Sequence, residues 1–409
     1  MEATGQRISG RYASLSVDGT PADAARSLVN LVNIQGPGEI AISPASRRHQ
    51  VSTALERADP TGSWRDWWHR AAGEPVRLSD DAPTTRAVPV HRCGPPDGKT
   101  GPDPLLGVNI GGHYLRLVRV RRGAVVGSRE KRLGAGRGSS LFGISLRSFV
   151  ELLAGDELAR GVRGVGIAWS APRASVGLRA MSLLTEGGGE VVDLLDTGEL
   201  DSALTGALRC PVLSWNDGEG VAAAEALARP PRQGRPLLAL KLGTSFASGL
   251  ALEDRRISAL PMQLAKCLPS TPPPRRHAHP MVGLHGTTRD TLGAACLTES
   301  FKLLSGLPRA DYDDYCLAAV RHHPGAMELA RAGARTVAEL THLVSTVWSP
   351  ADLVLSGRNL RHPPYRHLFE RLVRHELDTF PSRPTLLAPA ADLNLSAALG
   401  AAALTQAHI

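Results

Sequence analysis

Two glycine-bearing turns and one Asn-Asp pair are the places where residue types in this chain could do chemistry. The first turn closes Leu105-Leu-Gly-Val-Asn-Ile-Gly-Gly112, and the second lies within Leu238-Ala-Leu-Lys-Leu-Gly-Thr-Ser-Phe-Ala-Ser-Gly249. Glycine has no Cβ, so backbone N–H groups in such turns can approach an anion closely. Thr244 adds a hydroxyl to the second turn. Either turn alone is more often a plain hairpin connection. Between them, Asn216 and Asp217 follow a short strand-like run, Pro211 to Trp215. A carboxylate there could accept a proton from a hydroxyl as a general base. Asn-Asp-Gly is also ordinary turn chemistry, and the pair alone does not decide between the two.

The elements that must position these groups alternate between strand and helix. Leu106 to Val120 reads as two strands about the first turn, and Ala124 to Arg132 as a third. Leu146 to Ala159 has helical periodicity, Gly164 to Trp169 is a buried strand, and Leu200 to Leu208 is a helix. A helix from Val221 to Ala228 leads to a strand pair, Pro236 to Leu252. Ser258 to Leu292 is rich in Pro and His and reads as loop. Helices dominate Ala294 to Trp348, a strand covers Ala351 to Leu355, and a helix from Asn394 to Ala407 closes the chain. Alternating strands and helices indicate an α/β architecture.

Residues 1–104 have a different texture. Ala22 to Val32 reads as a helix, with Thr20 a cap and Pro21 in its first position. Thr61 to Ala72 places Trp64, Trp67 and Trp68 at helical spacing, the pattern of a small core. The Gly/Pro cluster at 94–104 reads as a linker.

Composition limits the classes. The 409 residues carry a net charge of +8, 42% apolar residues and only 4% aromatics. Such a chain is a globular protein whose core is packed largely by Ala, Leu and Val. The longest apolar run, Leu395 to Leu404, is about half of what a membrane span needs. The N-terminal stretch lacks a secretory pattern, and the five scattered cysteines include no CxxC pair, so a reducing cytoplasm is expected. Basic charge is almost all Arg and is spread along the chain, a weak pointer to anionic partners.

Taken in order, these segments resemble the ROK family of sugar kinases and regulators. The resemblance runs from about 105 to 404. Gly107-Val-Asn-Ile-Gly-Gly112 is similar to the family's first phosphate loop, and Gly164-Val-Gly-Ile-Ala-Trp-Ser-Ala-Pro172 to its sugar-side strand and loop. Cys210-Pro-Val-Leu-Ser-Trp-Asn-Asp217 resembles the P-V-x-x-E-N-D segment, and Leu242-Gly-Thr-Ser-Phe-Ala-Ser-Gly249 the second phosphate loop. Trp348 to Gly357 resembles the adenosine segment, and Ala398-Leu-Gly-Ala-Ala402 the closing helix.

The resemblance implies a two-lobed, ribonuclease H-like fold of the actin/hexokinase type with an extra N-terminal region. Its divisions would be 1–104, a first lobe at 105–216, a second at 217–390, and a helix at 391–409 returning to the first. It further implies phosphoryl transfer from ATP to a hydroxyl of a sugar, aminosugar or cyclitol, with Mg²⁺ as the usual metal. Asp217 would be the general base, and Asn216, Gln263 and Lys266 would meet the acceptor. Asn109, Gly111, Gly112, Gly243, Thr244 and Gly357 would hold the nucleotide and its phosphates.

The chain departs from the family pattern at four places. Asn109 stands where the family has a metal-organising Asp, and His113 replaces the following Thr. Gln263-Leu-Ala-Lys266 aligns with the sugar-binding E-x-G-H. The zinc cluster is reduced to Cys296, so no structural zinc is expected, and His277, His279 and His285 read as a solvated loop. The loop at 269–280 would form a lid or rim. Coordination of Mg²⁺ by Asn109 is in question for the same reason. The losses fit either a kinase re-tooled for an unusual acceptor, which the surviving Asp217 and both turns favour, or a ligand-binding protein with impaired catalysis. A regulator would use Ala41 to Ala58, with Arg47, Arg48 and Arg57, as its recognition helix, but the flanking Gly36-Pro-Gly38 does not give helix–turn–helix spacing. The expected partners are therefore a small sugar or cyclitol and a nucleotide, without nucleic acid or membrane, and a homodimer is compatible with the resemblance.

Overall fold

The computed structural model describes residues 20–35, 39–41, 48–72, 77–79, 90–94, 104–111, 114–132, 146–169, 173–174, 177–181, 194–229, 236–252, 255–260, 262–271, 273–274, 276–277, 283–380, 384–390 and 392–409. The N-terminal region contributes α1 (Pro21–Gln35), β1 (Glu39–Ala41), α2 (Arg48–Ala58), α3 (Ser63–Ala72), β2 (Arg77–Ser79) and β3 (Val90–Arg92). Ala25, Leu28, Val29 and Val32 of α1 pack with Val51 and Leu55 of α2 and with Trp64, Trp67 and Trp68 of α3. The tryptophan stripe is thus a core, with all three rings fully buried.

The first lobe runs β4 (Leu105–Ile110), β5 (Tyr114–Arg121), β6 (Ala124–Arg132), α4 (Leu146–Ala154), β7 (Gly164–Trp169), β8 (Arg173–Ala174), β9 (Gly177–Met181), β10 (Leu194–Asp196), α5 (Thr197–Leu208) and β11 (Val212–Asn216). Its described sheet has the order β11-β7-β4-β5-β6, with β11, β7 and β4 parallel and the hairpin β5–β6 antiparallel. The second lobe follows as α6 (Asp217–Ala228), β12 (Leu237–Leu242), β13 (Phe246–Ala251), β14 (Arg256–Ser258), α7 (Arg289–Leu292), α8 (Ala294–Ser305), α9 (Tyr312–Val320), α10 (Pro324–Trp348), β15 (Asp352–Ser356), α11 (Pro363–Leu377) and β16 (Thr385–Leu387). Helix α12 (Ser396–Gln406) ends the series. The second sheet has the order β16-β15-β12-β13-β14-β3, so residues 90–92 supply its last described strand.

Side-chain alternation builds five layers from these elements. Leu106, Val108 and Ile110 of β4 point to α4 and α5, where Phe149, Leu153, Leu200 and Leu204 receive them. Leu238, Leu240 and Leu242 of β12 point to the helices α8–α11. The opposite residues, Leu237 and Ala239, meet a central layer made of α6 and α12. That layer lies between two sheets, which explains why Ala dominates both helices: larger side chains have no room. The two helices touch through glycine, since a Cβ on Gly400 would stand 1.6 Å from the Gly220 carbonyl oxygen.

Several segments differ from the sequence reading. Helix α6 starts at Asp217 rather than near Val221, because Asn216 and Glu219 form a capping box. Within the stretch read as loop, residues 264–266 form a buried 3₁₀ turn. The span read as one recognition helix divides into β1, which ends at Ala41, and α2, which starts at Arg48. Arg47 and residues 95–103 of the linker lie outside the described residues.

Candidate active site

The carboxyl ends of the parallel strands in the two sheets face one crevice, the usual place for a ligand in α/β sheets. From the first sheet come Asn109 on β4, Gly111 after it and Asn216 at the end of β11, with Asp217 next at the start of α6. On the second-lobe side stand Lys241 on β12, Gly243 and Thr244 in the turn to β13, and Gly357 after β15.

Lys241 joins the two sides. Its Nζ donates to Asp217 Oδ2 at 2.9 Å and to Asn109 Oδ1 at 3.3 Å. Asn109 is fully buried and its Nδ2 donates to the Ala168 carbonyl at 3.1 Å, so the amide is held with its oxygen toward the ammonium. Asp217 has one paired oxygen; the other, Oδ1, is buried without a hydrogen-bond partner among the described residues. Asn216 Oδ1 accepts from the Gly218 N–H at 2.8 Å, which commits its oxygen to starting the helix.

The register of the first sheet sets a second group beside this one. Arg116 lies directly opposite Asn109, and Glu130 directly opposite Arg116. Such cross-strand partners share a face of the sheet. Arg116 Nε donates to Glu130 at 2.7 Å, and Arg358 Nη1 reaches the same carboxylate at 3.3 Å. The Arg358 guanidinium lies 3.9 Å from the centre of the Tyr114 ring. Arg116 Nη1 would lie 3.6 Å from a Cβ placed on Gly111, so this cation borders the first turn.

The two turns use their own amides. Gly111 N–H donates to the Tyr114 carbonyl at 3.0 Å, and Gly243 N–H to the Ser245 carbonyl at 2.8 Å. Thr244 is exposed, and Gly112 and His113 lie outside the described residues. Gly357 has φ +102°, and a Cβ there would stand 2.2 Å from the Leu242 carbonyl oxygen. The close approach of β12 therefore requires glycine at that position.

Gln263 and Lys266 come together in a different setting. Lys266 Nζ donates to Gln263 Oε1 and lies 4.3 Å from the centre of the Trp67 ring. Burial pushes the Lys266 ammonium down to about 7, while the nearby Cys267 and Asp217 pull it back up. The cover comes from the N-terminal helices. Asn33 Nδ2 donates to the Lys266 carbonyl at 2.8 Å, and Asn33 Oδ1 accepts from the indoles of Trp64 and Trp68, each at 3.1 Å. Asn30 brackets Leu268, donating to its carbonyl and accepting from its N–H.

The crevice does not fit a divalent cation organised at Asn109. The amide carries no negative charge, and the oxygen it offers already faces an ammonium. His277 donates its backbone N–H to Asp290 at 2.9 Å, and His279 lies outside the described residues. Among the described residues, no group of three or more His, Cys, Asp or Glu is arranged to hold a metal.

No family model matches the sequence, and no curated protein does. Solved structures do match. A ROK hexokinase from Thermus thermophilus superposes with a TM-score of 0.55 at 18% identity, covering 74% of this chain and 97% of the hexokinase. The chain has the fold of ROK proteins. A ROK family glucokinase from Streptomyces griseus, solved with glucose and AMPPNP, gives 0.55 at 16% identity, covering 73% of this chain and 98% of its own. A ROK family transcriptional regulator, a homolog of the E. coli MLC protein, gives 0.53 at 15% identity but covers 94% of this chain and 96% of its own. The regulator's likeness therefore takes in more of this chain than the kinases' likeness does.

Sequence reasoning assigns no role to Lys241, Arg116, Arg358, Asn30 or Asn33. Lys241 carried a signal: it is a lone charge in the apolar run Leu237-Leu-Ala-Leu-Lys-Leu242, and buried strands rarely carry Lys without a partner. The pairing of Arg116 with Asn109 follows only once the strand register is known. No described helix is long and apolar enough to cross a membrane.

Proposed function

We propose that the chain is an ATP-dependent phosphotransferase acting on a hydroxyl of a sugar, aminosugar or cyclitol, with Asp217 as general base. The observation that carries this reading is the unpartnered, buried Oδ1 of Asp217 at the head of the crevice. A buried carboxylate oxygen without a donor is costly, and an acceptor hydroxyl would supply that donor. As the hydroxyl oxygen attacks the γ-phosphorus, its proton passes to Oδ1 and ADP leaves. Lys241 fixes the other oxygen, so the carboxylate is aimed before substrate arrives. The nucleotide would lie along the turns at Gly111 and Gly243, with Gly357 beside the adenosine. The kinase-like neighbours, one solved with glucose and AMPPNP, support the same assignment.

The test follows ATP consumption against a panel of sugars, aminosugars and cyclitols, with wild type and Asp217→Asn. At least one acceptor should stimulate turnover in the wild type. The variant should lose about 10²-fold or more, the range for removing a general base, while keeping nucleotide affinity. A wild type that no acceptor stimulates, or an unimpaired variant, defeats the proposal.

A second reading, a ligand-responsive regulator, has its own support. The regulator's likeness extends over 94% of this chain, and the N-terminal helices sit directly on Gln263 to Leu268. Charge on those helices is mixed, with Arg57 exposed on α2. Helix α3 exposes Asp66 and His69, and its Arg65 pairs with Asp59. Under this reading a sugar would bind without turnover, and calorimetry with the same panel separates the two.

A further inference from the structure

The structure holds a cation of its own where kinases of this fold organise a metal. Lys241 Nζ lies between Asn109 Oδ1, at 3.3 Å, and Asp217 Oδ2, at 2.9 Å. The first oxygen belongs to the residue that stands where the family pattern has a metal-organising Asp, and the second to the carboxylate proposed as general base. An amide oxygen can ligate a metal but brings no charge to hold it, and an ammonium already in contact with both oxygens repels one.

Two further cations extend the same row. Arg116 faces Asn109 across the sheet and borders Gly111, and Arg358 approaches from the second lobe over Tyr114. Against Lys241, Arg116 and Arg358 stand two carboxylates, Asp217 and Glu130. Three positive charges less two negative leaves one for an anion. The backbone points the same way, because the N–H groups of Gly111 and Gly243 are spent inside their turns. Side-chain charge then supplies much of the attraction for phosphate oxygens, Arg through directional paired hydrogen bonds and Lys as a point charge.

We propose that Lys241 takes over the metal's role, so that the nucleoside triphosphate binds in this crevice without a divalent cation, held by Lys241, Arg116 and Arg358. The inference rests on the phosphotransferase reading for placing a nucleotide here. It differs from that reading in what it demands of the metal.

Calorimetric titration of the full chain with a non-hydrolysable ATP analogue tests it, once in Mg²⁺ buffer and once in EDTA. The wild type should bind in EDTA within about threefold of its affinity in Mg²⁺, and Lys241→Met should weaken binding in EDTA by about tenfold to a hundredfold, the range for a lost charged hydrogen bond. The double variant Lys241→Met/Asp217→Asn, which leaves no unpaired carboxylate, should show the same weakening if the single variant folds poorly. A wild type that binds only with Mg²⁺ overturns the inference and leaves the nucleotide site standing. Equal affinity of the wild type and the double variant in EDTA also overturns it. Absence of binding in both buffers overturns the inference together with the phosphotransferase reading.

Discussion

Replacing Lys266 by Met should make the stability of the protein less dependent on pH, and the structure gives the size of the effect. The ammonium is fully buried against Trp67, and burial pushes it from 10.5 down to about 7. The folded state thus releases the proton near neutrality, whereas the unfolded chain keeps it until about 10.5. Between those values the unfolded chain binds more protons, so stability rises with pH across that window. Each pH unit inside the window is worth about 1.4 kcal/mol, which makes the wild type gain about 2 to 3 kcal/mol between pH 6 and pH 9 from this residue. Methionine fills a similar volume and cannot titrate. At pH 6 the variant escapes the burial cost of the charge but loses the ring contact, worth about 2 kcal/mol, and the hydrogen bond to Gln263 Oε1. The net change at one pH is therefore small, and the slope is the useful quantity. Urea unfolding followed by circular dichroism at pH 6, 7, 8 and 9 gives it directly. The difference in stability between wild type and Lys266→Met should move by about 2 to 3 kcal/mol over that range, in the wild type's favour as pH rises. A difference that stays flat from pH 6 to 9 would show that Lys266 keeps its proton throughout, and the burial argument would fall.

Two other substitutions probe the packing. Gly400→Ala places a methyl 1.6 Å from the Gly220 carbonyl oxygen between two helices that cannot separate, and should cost about 3 kcal/mol or more. Gly206→Ala, on α5 with nothing within 4 Å of the new methyl, should instead stabilise by about 0.5 to 1 kcal/mol; thermal melts that rank the two the other way would contradict the layer arrangement. Asn33→Ala strands two buried indole N–H groups and the Lys266 carbonyl, and each orphan costs about 1 to 3 kcal/mol. Hydrogen exchange in residues 21–72 should accelerate well before that in β4 or β12, and unchanged protection there would remove Asn33 from its assigned role.

How much of this was legible depended on the range of the interactions. Strands such as Ala124 to Arg132 and Gly164 to Trp169 have the bounds read from the sequence, because the turn at Arg121-Arg-Gly123 and a continuous apolar run mark them locally. The start of α6 was misplaced although Asn216 and Glu219 have capping-box spacing, since turn chemistry and capping use the same residues. The Trp stripe was readable as a core, but not the seat of Lys266 beneath Trp67. That contact joins residues far apart in sequence, and α1 reaches the same segment across 233 and 238 positions. The two glycine turns lie after β4 and β12 as the sequence indicates, while the destination of their amides was not legible. The Lys241 bridge was readable only as a misplaced charge; its partners come from strand β4 and the start of helix α6.

Strand β3 has a consequence for how the N-terminal region can be studied. Residues 90–92 hydrogen-bond along β14 and so cover one side of the second sheet. A shortened chain of residues 105–409 would bare that edge, a template on which other chains can pair, and would uncover the Lys266 cluster as well. Loss of function in such a fragment would report association and misfolding as much as the missing helices. Substitutions at Asn30 and Asn33, which loosen the helices while leaving the edge paired, separate those effects.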